Sequence, residues 1–152
     1  MTNSPTPVPS LAQFEAARAI VGEVAIQTPM LHSYFLSEHV GHEVFLKAEN
    51  LQRTGAYKVR GAFHRISKLN AEERARGVVA ASAGNHAQGV ALAATKLGIK
   101  STIFMPVGAS LPKIQATRGY GADVVLTGAT FAEALKAAQE HAKSSGAVFI
   151  PP

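Results

Sequence analysis

Between Val78 and Ile150 the sequence alternates short apolar runs with longer stretches of helical periodicity, and this pattern leaves few folds open. The runs are Val78–Ala81, Ser101–Met105, Asp123–Leu126 and Ala147–Ile150. Between them lie Asn85–Leu97, stopped by Gly98, then Ser110–Arg118 with Pro112 in its first turn, then Thr130–Lys143, followed by Ser144-Ser145-Gly146. A run apolar at every position suits a strand covered on both faces, which is how parallel strands are buried. Parallel neighbours need a crossover of about a dozen residues, and the helical segments supply it. The expected class is therefore α/β, a parallel sheet flanked by helices with right-handed connections.

Upstream the pattern is less regular. Ser10–Val21 is expected to be a helix, capped by Ser10, with Leu11, Phe14, Ala17 and Val21 on one face. Pro29 breaks the chain. Leu31–Val40 is expected as a short helix, Gly41-His42 as a loop, and Val44–Ala48 as a strand. Val59, Ala62, Phe63, Ile66 and Leu69 then recur at helical spacing. Met1–Pro9, with three prolines, has the composition of a loose, disordered tail. His39 and His42 stand three apart, but a metal site needs three or four ligands and none follows nearby, so surface histidines and no metal are expected.

Composition removes whole classes of function. The 152 residues are 47% apolar and 16% charged, which is globular. The net charge of +5 is spread over Arg53, Lys58, Arg60, Arg65, Lys68, Arg74 and Arg76 without a basic run or an aromatic ladder. A nucleic-acid partner is not expected; a basic site for a small anion fits as well. No apolar stretch has transmembrane length, so no membrane partner is expected. There is no cysteine, and the N-terminus lacks the layout of a signal peptide. The expected localisation is cytoplasmic.

Two junctions carry the chemistry. Lys58 follows the Thr54-Gly55 turn and falls in the first turn of the next helix. The partial positive charge at a helix N-terminus disfavours an ammonium, and a neutral amine is the form that attacks a carbonyl. A solvated surface lysine is the alternative. At the second junction, Ser82–Gly84 joins a strand to a helix at the carboxyl end of the sheet, where ligands of such folds bind. Asn85 is expected to cap that helix, with Gln88 three residues on completing a capping box. Such a turn presents N–H groups to a carboxylate or phosphate, or is simply a well-capped turn. Gly84–Gly89 lacks the Lys-Ser/Thr of a P-loop, and no Gly-x-Gly-x-x-Gly occurs.

The sequence Glu-Asn-Leu-Gln-Arg-Thr-Gly-Ala-Tyr-Lys-Val-Arg-Gly-Ala over 49–62, with Ser-Ala-Gly-Asn-His-Ala-Gln-Gly over 82–89, resembles the two motifs of the threonine/serine dehydratases. These belong to the tryptophan-synthase-β-like (fold type II) pyridoxal-phosphate enzymes. The resemblance runs from about Phe14 to Pro152. It implies pyridoxal 5'-phosphate as cofactor and a small amino acid as substrate. It makes Lys58 the Schiff-base lysine and Cα base, and Tyr57 the aromatic packed near the cofactor ring, where Phe is common. Ser82, Ala83, Gly84, Asn85 and His86 become the loop that grips the substrate carboxylate, with Asn85 also bonding the cofactor's ring oxygen. The reaction implied is β-elimination from L-threonine or L-serine to a 2-oxo acid and ammonia.

Ala56 stands where many members carry Ser, a mild departure. Ala83 stands where serine racemases carry a second catalytic Ser, which argues for dehydratase over racemase. The family continues well beyond Pro152, and no Gly-Gly-Gly-Gly run for the cofactor phosphate is present. The expectation is an incomplete fragment: tail 1–9, a segment 10–52 of a larger domain, and a small α/β domain 53–152 carrying the lysine. Strand Val44–Ala48 is then expected to keep an unpaired edge, and the assembly to be a homo-oligomer or to need a C-terminal half. Other activities of the same family, racemase or threonine synthase, and a non-catalytic α/β module are the alternatives.

Overall fold

The computed structural model describes residues 8–152. The expected tail over 1–9 lies outside the described residues except for Val8 and Pro9. Helix α1 spans Leu11–Val21 and is closed by the Ser10 capping box: the Ser10 hydroxyl accepts from the Gln13 N–H, and the Gln13 side chain accepts from the Ser10 N–H. The segment expected as one helix over Leu31–Val40 opens as strand β1, Met30–His32, and only then becomes α2, Tyr34–Val40. Strand β1 pairs antiparallel with β2, Phe45–Lys47, with Leu31 opposite Leu46. Ser33 ends the pairing in an extended conformation, and its hydroxyl accepts from the Leu36 N–H to start α2. One edge of β2 is thus taken by β1, a partner whose own composition does not announce a strand, and the other edge has no partner among the described residues, as expected.

A one-turn 3-10 helix over Glu49–Leu51 leads to α3, Lys58–Ser67. Helix α4, Ala71–Arg76, was not expected; its Asn70–Glu73 capping box is the signal that was passed over. The alternating part then follows the reading closely. It comprises β3 (Val78–Ala81), α5 (Asn85–Lys96), β4 (Ser101–Met105), α6 (Leu111–Gly119), β5 (Asp123–Leu126), α7 (Phe131–Ser145) and β6 (Val148–Phe149).

All four strands of the main sheet are parallel, in the order β5-β4-β3-β6. Every residue of β3 is buried, because each face meets a helix layer. Val78 and Ala80 join Ile103 and Met105 in the larger core, with α3, α5 and α6. Val79 and Ala81 join Phe104 under α7. Alanines 87, 91, 93 and 94 let α5 lie close between the sheet and α3. Strands β4 and β5 run to one side of β3, while β6 crosses to the other. That reversal opens a crevice beyond the carboxyl ends of β3 and β6, the position where open α/β sheets bind ligands.

Candidate active site

Lys58 is the first residue of α3. The turn before it is held by the buried Thr54, whose hydroxyl donates to the Ala56 carbonyl, and by Gly55 at φ +67°, a conformation few other residues adopt. The lysine is half-buried, and its Nζ lies 5.5 Å from the centroid of the exposed Tyr57 ring.

The entry to α3 is strapped to the chain upstream. The Arg60 guanidinium donates to both carboxylate oxygens of Glu49, at 2.8 and 2.7 Å, and the Thr28 hydroxyl donates to the same group. These donors, Arg60 first, hold the Glu49 carboxyl down at about 2. The Gln52 carboxamide bonds both the N–H and the carbonyl of Ile26, and Arg53 Nε donates to the Val24 carbonyl at 2.6 Å. With the buried Val24 in the core, the segment before Lys58 has little freedom to shift.

The second junction differs from expectation in one respect. Gly84, not Asn85, occupies the N-cap position of α5, and no side chain caps it. Asn85 is already helical, so its carboxamide cannot bend back in the way a cap requires. The Ser82 hydroxyl instead accepts from the Gly84 N–H at 3.2 Å. The outcome favours a ligand: the Asn85 carboxamide is exposed, and the amides of Asn85 and His86 meet no acceptor among the described residues. His86 is buried, with Nε2 3.1 Å from the Ile150 carbonyl oxygen. Burial pushes its imidazole below the ordinary value, the Lys58 charge adds to this, and the Ile150 carbonyl opposes it.

Gly89 brings the two junctions together. A Cβ placed there would stand 3.0 Å from the Lys58 carbonyl carbon and 3.1 Å from both the Lys58 oxygen and the Val59 nitrogen. Helix α5 therefore crosses the start of α3 at backbone contact. Lys58, Tyr57 and His86 consequently line one cavity of about 340 Å³, together with Gly61, Ala62, Arg65 and Ile150–Pro152. Ser82, Ala83, Gly84 and Asn85 form the turn that leads into His86 but do not line this cavity. A larger hollow of about 760 Å³ between α1 and α3 includes neither Lys58 nor that turn. We place the chemistry at the smaller one, because the amine and the helix N-terminus meet there.

Sequence reasoning missed Arg65, Glu49, Arg60 and Gly89. A glycine inside a helical pattern hints at close approach, but nothing local names its partner. Arg65 lies seven residues after Lys58, on the same helix face, and that spacing was available. The donor set suits an aldehyde-bearing anion: a primary amine in a recess, an aromatic ring beside it, and unpaired N–H groups at its edge. The sequence contains no Gly-rich loop for the phosphate of such a group.

A family model described as "Pyridoxal-phosphate dependent enzyme" matches residues 22–152. The chain is 51% identical to an L-threonine ammonia-lyase of Thermotoga maritima over 143 residues, covering 94% of this chain and 36% of that protein. The processed form of threonine deaminase isoform 2 from Solanum lycopersicum superposes with a TM-score of 0.85 at 42% identity, over 99% of this chain and 42% of that one. Maize serine racemase superposes with a TM-score of 0.83 at 34% identity, over 90% of this chain and 41% of that one. The chain thus spans well under half the length of each protein it matches here.

Proposed function

This chain belongs to the family of pyridoxal-phosphate dependent enzymes, and from that membership we propose that it forms the lysine-bearing part of a threonine ammonia-lyase. The substrate would be L-threonine, with L-serine as a smaller analogue, and the products a 2-oxo acid and ammonia. The observation that carries this reading is the backbone contact at Gly89, which brings the start of α5, and with it His86, to the cavity that Lys58 lines, with the Ser82–Asn85 turn leading into it. Residues 53–152 would be the smaller domain of the whole protein, and residues 10–52 a segment of its larger one.

When bound, pyridoxal phosphate supplies an electron sink for the negative charge left at the substrate Cα. The residues of this chain do the rest. Lys58 would hold the cofactor, and its amine, once free, takes the Cα proton as general base. The N–H groups at the start of α5 hold the substrate carboxylate, where the helix dipole favours negative charge. The Asn85 carboxamide is exposed at the same end and would bond the cofactor's ring oxygen, and the exposed Tyr57 ring would pack near it. The β-hydroxyl departs as water, and the released product takes up water and loses ammonia. Ala83 offers only a methyl group, so no acid or base stands at that position to return a proton to the opposite face of Cα. That favours elimination over racemisation.

The test is reduction with borohydride after incubation with pyridoxal phosphate, followed by mass mapping, with Lys58→Ala as control. Label confined to Lys58 supports the assignment; label scattered over many lysines and unchanged in Lys58→Ala refutes it. In the intact protein, L-threonine should give a 2-oxo acid, and L-serine should give no D-serine.

A further inference from the structure

His86 raises a question that the proposed chemistry leaves unanswered: why an imidazole is buried behind the turn whose backbone does the binding. Its exposure is 7%, and its one polar contact joins residues 64 apart in sequence, from Nε2 to the Ile150 carbonyl. Ile150 is held on its other side as well, since its N–H donates to the Val79 carbonyl of β3 at 2.8 Å. The peptide at the exit of β6 is therefore clamped between β3 and α5, and Pro151 and Pro152, which follow, line the Lys58 cavity.

We propose that His86 is a positioning residue for the Lys58 site: it donates Nε2–H to the Ile150 carbonyl and so holds the start of α5 and the exit of β6 at one separation. The proposal rests on the assignment of Lys58 and the 82–86 turn made above. A carbonyl only accepts, so the neutral ring must carry its proton on Nε2 and leave Nδ1 bare. The charged groups lining the cavity are Lys58 and Arg65, both from α3; Ile150 and the two prolines contribute no charged side chain, and the Ser82–Asn85 turn does not line it. A proton added to His86 would bury a further positive charge beside two others. Burial and the Lys58 charge lower its affinity for protons below the ordinary 6.5, against the opposing Ile150 carbonyl, so the ring is neutral at neutral pH; below 6.5 keeping it neutral costs the fold stability, while Nε2–H donates to Ile150 in either protonation state.

The test compares His86→Leu, which fills similar space without a donor, with His86→Gln, whose amide N–H can reach the same carbonyl. In the unmodified protein, ring nitrogen shifts should show the Nε2–H tautomer, neutral at pH 7. In His86→Leu, protection of the Ile150 amide from hydrogen exchange should fall about tenfold, as should the rate of borohydride-trapped labelling at Lys58; loss of one buried hydrogen bond is of that size. His86→Gln should restore both to within about threefold, which lost packing alone would not allow. An Nδ1–H tautomer, or His86→Leu matching the unmodified protein in both readouts, overturns the proposal. If the unmodified protein itself labels lysines at random, the Lys58 assignment fails and this proposal with it, and that result is distinct from selective labelling that ignores His86.

Discussion

Gly89→Ala tests the contact on which the site depends. The added Cβ would stand 3.0 Å from the Lys58 carbonyl carbon, against about 3.5–4.0 Å for relaxed carbon contacts, so roughly half an ångström must be found. The atoms it meets are all backbone, so no side chain can swing aside. The helices must part instead, loosening Val59, Ala62 and Phe63 from Ala87, Val90 and Ala91. Overpacking of this kind costs about 1–3 kcal/mol, while replacing a mid-helix glycine by alanine returns about 1 kcal/mol, for a net loss near 1 kcal/mol. Gly61→Ala is the matched control: it lies within α3, and a Cβ there meets nothing within 4 Å. It should gain about 0.5–1 kcal/mol. Denaturant unfolding should therefore separate the two variants by about 1–3 kcal/mol in opposite directions. Labelling at Lys58 by pyridoxal phosphate should fall in Gly89→Ala as α3 is displaced. If Gly89→Ala stabilises as much as Gly61→Ala and labelling persists, the contact does not set the site.

Further perturbations probe the frame around it. The Glu49 carboxyl is held at about 2 against an ordinary 4.5, so it stabilises the fold fully above pH 4.5 and loses this as pH falls toward 2. At full strength the shift is worth roughly 3 kcal/mol. The Arg60 side chain is 35% exposed, and solvent screening reduces the expected contribution to about 1–2 kcal/mol. Glu49→Gln should therefore lower the unfolding midpoint at pH 7 and flatten the acid limb of the stability profile; an unchanged acid limb would count against the pair. Thr130→Ala removes the α7 cap, in which the Thr130 hydroxyl accepts from the Glu133 N–H, and should cost about 1 kcal/mol by denaturant midpoint. Ile66→Ala, at a site with no exposure, should cost about 2–5 kcal/mol, and a loss under about 1 kcal/mol would mean that the core collapses to fill the gap.

What the sequence settled by itself is what local pattern controls. Strand β3 lies at the expected residues because a strand covered on both faces must be apolar throughout, and β4 and the more exposed β5 lie where mostly apolar runs stand between helical segments. Lys58 opens its helix because Gly55 turns the chain just ahead of it. Where pairing or approach joins distant residues, local pattern says little. Met30–His32 becomes a strand only because Phe45–Lys47 lies alongside, and Asn85 loses the cap position because Gly84 takes up the turn. Tertiary structure alone decided that β6 returns beside β3, that Gly89 touches Lys58, that Glu49 meets Arg60, and that His86 reaches the Ile150 carbonyl. Each of those contacts depends on where packing carries two segments, and the residue types at either end do not encode that.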